Sequence, residues 1–280
     1  MALWDKLGGG GNIEDRRGMG ASFFGLGGGI AATVIALVLG YFGISADPAL
    51  VEQLLSVSGL ATQSESSQSA EFKGVDSYET FASNVIGSTD RFWTAALNGQ
   101  AAYTKPRLVL FRDATQSDCG AATSDVGPHY CPVDQTIYLD ETFFDVLTER
   151  YGGSKGDVAQ AYVMAHEVGH HVQKVTGTME KVQSDPRYQQ TGSNSLSVRL
   201  ELQADCYAGL WAHSIKGAGV FESDQEIKEA IDAASAVGDD RIQSTTGSVN
   251  PETWTHGSSE QRVEAFNRGW TSGQLSQCTL

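Results

Sequence analysis

The sequence predicts an α+β domain, mainly helical with a small sheet, preceded by one transmembrane helix. Three observations carry this expectation. Apolar residues recur at spacings of three and four along the carboxyl-terminal half, which is the helical period. Two short runs rich in β-branched and aromatic residues, "RLVLF" at 107–111 and "QTIYLD" at 135–140, stand apart from it as strands. The stretch "GGGIAATVIALVLGYFGI" at 27–44 is apolar on every face.

Residues 18–46 carry no charge, and a run of that length without a polar face reads as a bilayer span rather than a buried core helix. Lys6, Arg16 and Arg17 precede it, whereas Asp47, Glu52 and Glu65 follow it. The bias of Lys and Arg toward the cytoplasm then predicts a cytoplasmic leader over 1–18, a transmembrane helix over 19–46 and an extracytoplasmic remainder held to the cell membrane by a single pass. The serine- and glutamine-rich stretch "ATQSESSQSAEFKG" at 61–74 is too poor in large apolar residues to fold, so 47–74 is expected to be a flexible linker and 75–280 a folded domain.

Within that domain, "YETFASNVIGSTDRFWTAAL" suits a helix before the two strands. The segment "GDVAQAYVMAHEVGHHVQKVTG" follows them, with Asp157 as cap, apolar positions at Val158, Ala161, Ala165, Val168, Val172 and Val175, and Gly177 as stop. "SLSVRLELQADCYAGLWAHSIKG" is another helix. Ser223 with Glu226, and Ser258 with Gln261, have the spacing of capping boxes for two more.

Composition narrows the function. The 280 residues include 19 Lys and Arg against 34 Asp and Glu, a net charge of −15, with no basic block to track phosphates; nucleic acid is excluded as a partner. The cysteines, Cys119, Cys131, Cys206 and Cys278, are even in number in a segment expected outside the cytoplasm, which fits disulfides. Gly120, Gly127 and Pro128 make the stretch between Cys119 and Cys131 a loop and favour local pairing, leaving Cys206 with Cys278 among the three connectivities that four cysteines permit.

The chemistry sits in "AHEVGHHVQ" at 165–173. His166 and His170, four apart on a helix, point the same way and can grip one zinc ion from the side. Glu167, one position on, misses the metal but reaches a water beside it, the place of a general base. Gly169 between them weakens the helix and calls for close approach of another segment. Zinc catalysis uses three protein ligands and an open position. Glu201, in "LELQAD" at 200–205, is the candidate third ligand, and Asp205 on the same face one turn later is placed to take the free N–H of a ligand histidine. His171 points about 100° away from His170 and cannot share the ion, so a surface or supporting role is expected. His213 reads as structural, His129 lies in a loop that can border the cleft, and His256, in "WTHGSSEQR", projects from a loop just before a capped helix.

Four segments in this order, "CG...GPHYCPVDQTIYLD", "AYVMAHEVGHHVQ", "ELQADCYAGLWA" and "THGSSEQR", behind one amino-terminal span, resemble the bacterial putative neutral zinc metallopeptidase family over most of the chain. The wider resemblance is to glutamate-zincins. It implies a zincin-like metallopeptidase domain with two helices around the metal beside a small sheet, His166, His170 and Glu201 as ligands of one catalytic Zn2+, Glu167 as base and Asp205 as supporting partner. It also implies His256 as the donor such enzymes place beside the metal. The expected activity is hydrolysis of protein or peptide substrates by zinc-activated water. The competing reading is a catalytically inactive, zinc-containing binding or chaperone-like module of the cell envelope.

Overall fold

The computed structural model describes residues 2–18, 76–99, 101–221, 223, 225–245 and 247–280. The predicted transmembrane helix over 19–46 and the linker over 47–74 lie outside the described residues, and among the described residues no helix is long and apolar enough to cross a membrane.

The α+β class holds. Six strands and eight α-helices make up the described fold: β1 (Ile13–Asp15), α1 (Ser77–Ala96), β2 (Arg107–Leu110), β3 (Ala114–Ser117), β4 (Gly120–Thr123), β5 (His129–Cys131), β6 (Thr136–Leu139), α2 (Phe143–Tyr151), α3 (Asp157–Val175), α4 (Thr178–Gln183), α5 (Leu196–Ile215), α6 (Ile227–Ala236), α7 (Asp239–Ser244) and α8 (Ser259–Ser272). The main sheet has the order β1-β2-β6-β5, with β1, β2 and β6 parallel and β5 antiparallel at the edge; β3 and β4 form a separate hairpin. The central strands β2 and β6 are almost wholly buried, which explains why "RLVLF" and "QTIYLD" read as continuous apolar runs rather than alternating ones. The four strands that sequence alone did not reveal are short, of three or four residues, and owe their pairing to neighbours.

Helix α3 is the axis of the molecule. It packs against α5, α6 and α1 and carries β5 across one flank, while α8 lies along α5. Fourteen of its nineteen residues are buried, among them Val158, Ala161, Ala165, Val168 and Val172. Its N-cap is Gly156 and not the predicted Asp157, which is instead the first helical residue. Gly177 follows the helix with φ of 72°, as a stop should. The Ser258–Gln261 capping box is complete in both directions. Ser223–Glu226 is not a box: Glu226 is itself the N-cap and makes no side-chain capping hydrogen bond.

Both predicted disulfides are present, Cys119–Cys131 and Cys206–Cys278. The leader requires a correction. Residues 2–18, expected to be a segment apart from the domain, are built into it. Ala2 and Trp4 are part of the core, and β1 hydrogen-bonds along β2 with Ile13 opposite Leu108. The folded unit is therefore 2–18 together with 76–280 rather than 75–280 alone.

Candidate metal centre

His166 and His170 stand on α3 and Glu201 on the second turn of α5, and their ligating atoms converge. His166 Nε2 lies 3.2 Å from His170 Nε2 and 3.2 Å from Glu201 Oε2, and His170 Nε2 lies 3.4 Å from Glu201 Oε1. The edge of a tetrahedron with metal–ligand bonds of about 2.0 Å is about 3.3 Å, so this triangle has the size of one face of a zinc tetrahedron. The helices come close enough because Gly169 faces α5: a Cβ there would lie 3.0 Å from Ala204 Cα and 3.1 Å from Ala204 Cβ. The glycine between the histidines thus has its close-approaching segment.

The tautomers are fixed from behind. His166 Nδ1 donates to Asp205 Oδ1 at 2.8 Å, a carboxylate being only an acceptor. His170 Nδ1 meets Gln173 Oε1 at 3.0 Å; the Gln173 amide nitrogen is turned toward Leu200 O and Gln203 Oε1, both acceptors, so the histidine must be the donor. With each Nδ1 proton held in this way, the two Nε2 atoms, 3.2 Å apart beside a carboxylate, are the positions left to take a proton or a metal ion. The donor set, two imidazoles and one carboxylate, suits zinc, and the open cleft beside it leaves a fourth position for water.

The electrostatics agree. Burial pushes the His166 imidazole down, but the Asp205 carboxylate outweighs it and, before a metal is bound, holds the ring up at about 10. Burial likewise lowers His170 while Glu201 raises it. Burial would lift Glu201, yet His170 and His166 hold its carboxyl well below the usual range. The pocket is one that favours added positive charge.

Asp205 anchors a network that the sequence showed only in part. It is fully buried, accepts the Tyr162 hydroxyl at 2.6 Å on Oδ1, and takes Arg262 Nε at 2.9 Å on Oδ2 and Nη2 at 3.0 Å on Oδ1. Burial would raise the Asp205 carboxyl, but Arg262 and His166 hold it lowered. Tyr162 precedes His166 by four and could have been found as a residue on the same helix face; nothing in the local sequence ties Arg262 to Asp205. Gln173, three residues past His170, was also missed.

Glu167 and His256 both line the cleft that the three ligands also line. The imidazole of His256 is held by Asp239, whose Oδ1 is 3.3 Å from Nδ1 and whose Oδ2 accepts the backbone N–H groups of Thr255, His256 and Gly257 at 2.8, 2.7 and 3.0 Å. That hydrogen bond raises the His256 pKa against burial. Asp239 is a further residue the sequence did not disclose. His129 borders the cleft, with Nδ1 on Gly127 O and its ring stacked on Tyr138. His171 corrects the surface expectation: it is fully buried, bonded to the Tyr130 hydroxyl and to Thr104 O, away from the ligands. His213 bonds Trp270 O and is structural.

The cleft has a volume of about 450 Å³ and mostly apolar walls, to which Phe143, Val163, Met179 and Leu200 contribute. Strand β5, at the edge of the main sheet, runs along it through His129 and Tyr130.

Comparison with known proteins agrees with this geometry. Residues 2–280 match the family model described as "Putative neutral zinc metallopeptidase". "Uncharacterized protein YpfJ" of Escherichia coli (strain K12) is 40% identical over 283 residues, spanning 95% of this chain and 94% of that protein. "Uncharacterized protein Mb2605" of Mycobacterium bovis and "Uncharacterized protein Rv2575" of Mycobacterium tuberculosis are each 47% identical over 201 residues, 68% of this chain and 66% of theirs. No solved structure matches. A model that covers all but the first residue, and a relative similar from end to end, place the chain in the putative neutral zinc metallopeptidase family.

Proposed function

We propose that the protein is a zinc-dependent endopeptidase, with His166, His170 and Glu201 as metal ligands and Glu167 as general base. The observation that supports it most is the triangle of ligand atoms, closed from behind by Asp205 and Gln173 and open in front to a cleft that Glu167 lines. A site meant only to hold zinc would be closed by a fourth protein ligand. Among the described residues, the metal-ligating group has three members.

When bound, zinc supplies Lewis acidity, bringing the pKa of water toward about 7 and polarising a carbonyl. Glu167 takes the proton from the attacking water as its oxygen bonds to the peptide carbon. The carbon–nitrogen bond then breaks, and Glu167 returns the proton to the leaving amine. His256, oriented by Asp239, donates to the oxygen on which negative charge grows. An extended peptide suits the cleft because β5 offers it a sheet edge, and the apolar walls accept its side chains. The apolar run at 27–44 attaches the protein to the cell membrane, and the two disulfides fit an oxidising compartment outside the cytoplasm.

Purified protein stripped with a chelator and assayed on a panel of unstructured peptides tests this reading. Hydrolysis should vanish on stripping and return with one equivalent of zinc but not with magnesium. Zinc bound stoichiometrically without cleavage of any peptide would favour the binding module.

A further inference from the structure

The leader is fastened to the domain along its whole described length. Ala2 N and Trp4 Nε1 both donate to Asp157 Oδ2, at 3.0 and 2.9 Å, on the first residue of the metal-binding helix α3. The Trp4 ring lies parallel to Trp211 with centroids 6.5 Å apart and meets Phe81 edge-on at 5.4 Å. Leu108 N donates to Asn12 O and Arg16 N to Leu110 O, extending the β1–β2 pairing at both ends. Arg17, near the end of the leader, pairs with Asp76, the first described residue after 19–75, at 3.0 Å.

Helix α1 carries its half of this fit in its own sequence. Gly87 sits mid-helix, where glycine is among the weakest helix formers. A Cβ at Gly87 would lie 2.2 Å from Gly9 O and 2.8 Å from Gly11 N, and one at Gly11 would lie 2.9 Å from both Ile86 Cβ and Ser83 O. The three atoms nearest to such a Cβ at Gly87 all belong to the leader. The match to the family model likewise begins at residue 2.

Groups in hydrogen-bond contact cannot stand on opposite sides of a hydrocarbon layer about 30 Å thick. We infer that the leader and the domain lie on the same side of the membrane. Arg16 pairs with Glu14 at 2.7 Å and Arg17 with Asp15 at 2.6 Å, so both arginines of the leader are engaged within the fold.

Two substitutions in the full-length chain, Leu3→Cys and Val133→Cys, test it. Both positions are exposed, at 41% and 68%, and each new thiol is the one available, since all four native cysteines are in disulfides. With a membrane-impermeant maleimide applied to intact cells and then to lysed ones, both variants should label at the same stage. Labelling of one before lysis and the other only after it overturns the inference. Gly87→Ala supplies an independent sign test on the purified protein. If the leader packs as described, the new methyl displaces it, Tm falls and protease removes the leader faster. If the leader lies elsewhere, the helix gains from alanine, and a raised Tm overturns the inference.

Discussion

Asp205 joins His166 to Arg262: one carboxylate oxygen takes the histidine Nδ1 proton at 2.8 Å, the other takes the guanidinium Nε at 2.9 Å, and all three side chains are buried. A proposed metal ligand, the acid that orients it and the base that neutralises that acid come from three different helices, α3, α5 and α8. The centre is therefore as rigid as the packing of those helices. It also makes the fold sensitive to each member.

Arg262→Ala should leave the Asp205 charge buried and half-paired, at a cost of about 3–5 kcal/mol. Thermal unfolding checks this, and Arg262→Lys, which keeps the charge but loses the fork, should recover part of the loss. Equal Tm for wild type and Arg262→Ala would mean that the network contributes nothing.

Gln173→Ala should weaken zinc binding by roughly 10- to 100-fold while leaving the three ligands in place, because His170 loses the acceptor that fixes its tautomer. Competition against a chromogenic chelator measures it. Unchanged affinity would show that the hydrogen bond to Gln173 is incidental.

Asp239→Asn should act through His256. The hydrogen bond to Asp239 raises the His256 pKa, so its loss lets the ring deprotonate at lower pH. If protonated His256 stabilises the developing oxyanion, the alkaline limb of the kcat/KM profile moves toward acid, and kcat falls by on the order of 10- to 100-fold with KM nearly constant. A profile that keeps its limb removes His256 from the chemistry.

How far the sequence foretold this is clearest from these residues. His166, Glu167, His170, Glu201 and Asp205 were legible because helical spacing turns sequence distance into direction. Asp239, Gln173 and the role of Arg262 were not. Asp239 reaches His256 across seventeen positions and Arg262 reaches Asp205 across fifty-seven, and no local period links them. The packing of the leader was not legible for a different reason: Glu14 and Asp15 pair with Arg16 and Arg17 at a sheet edge that only the tertiary fold creates.

Asp90 yields a pH prediction away from the site. It is buried with Oδ2 unpartnered, and burial pushes its carboxyl up to about 6 despite the hydrogen bond from Tyr103. The folded pKa lies above the ordinary 3.8, so the folded chain holds this proton more tightly. Its contribution to stability is present below about pH 4 and lost as pH rises through about 6. Asp90→Asn should therefore stabilise the protein at pH 8 by on the order of 2 kcal/mol and gain little at pH 4. Thermal melts at the two pH values decide it; an equal gain at both would assign the effect to packing.

The central claim is that three residues hold zinc and a fourth moves the proton, and zinc content measured alongside peptide hydrolysis on Glu167→Gln and Glu201→Ala tests it most directly. Glu167→Gln should keep one zinc per chain, fold as the wild type does, and lose activity by about a thousandfold or more, whereas Glu201→Ala should lose metal and rate together. Wild-type turnover by Glu167→Gln, or undiminished zinc in Glu201→Ala, would contradict the account.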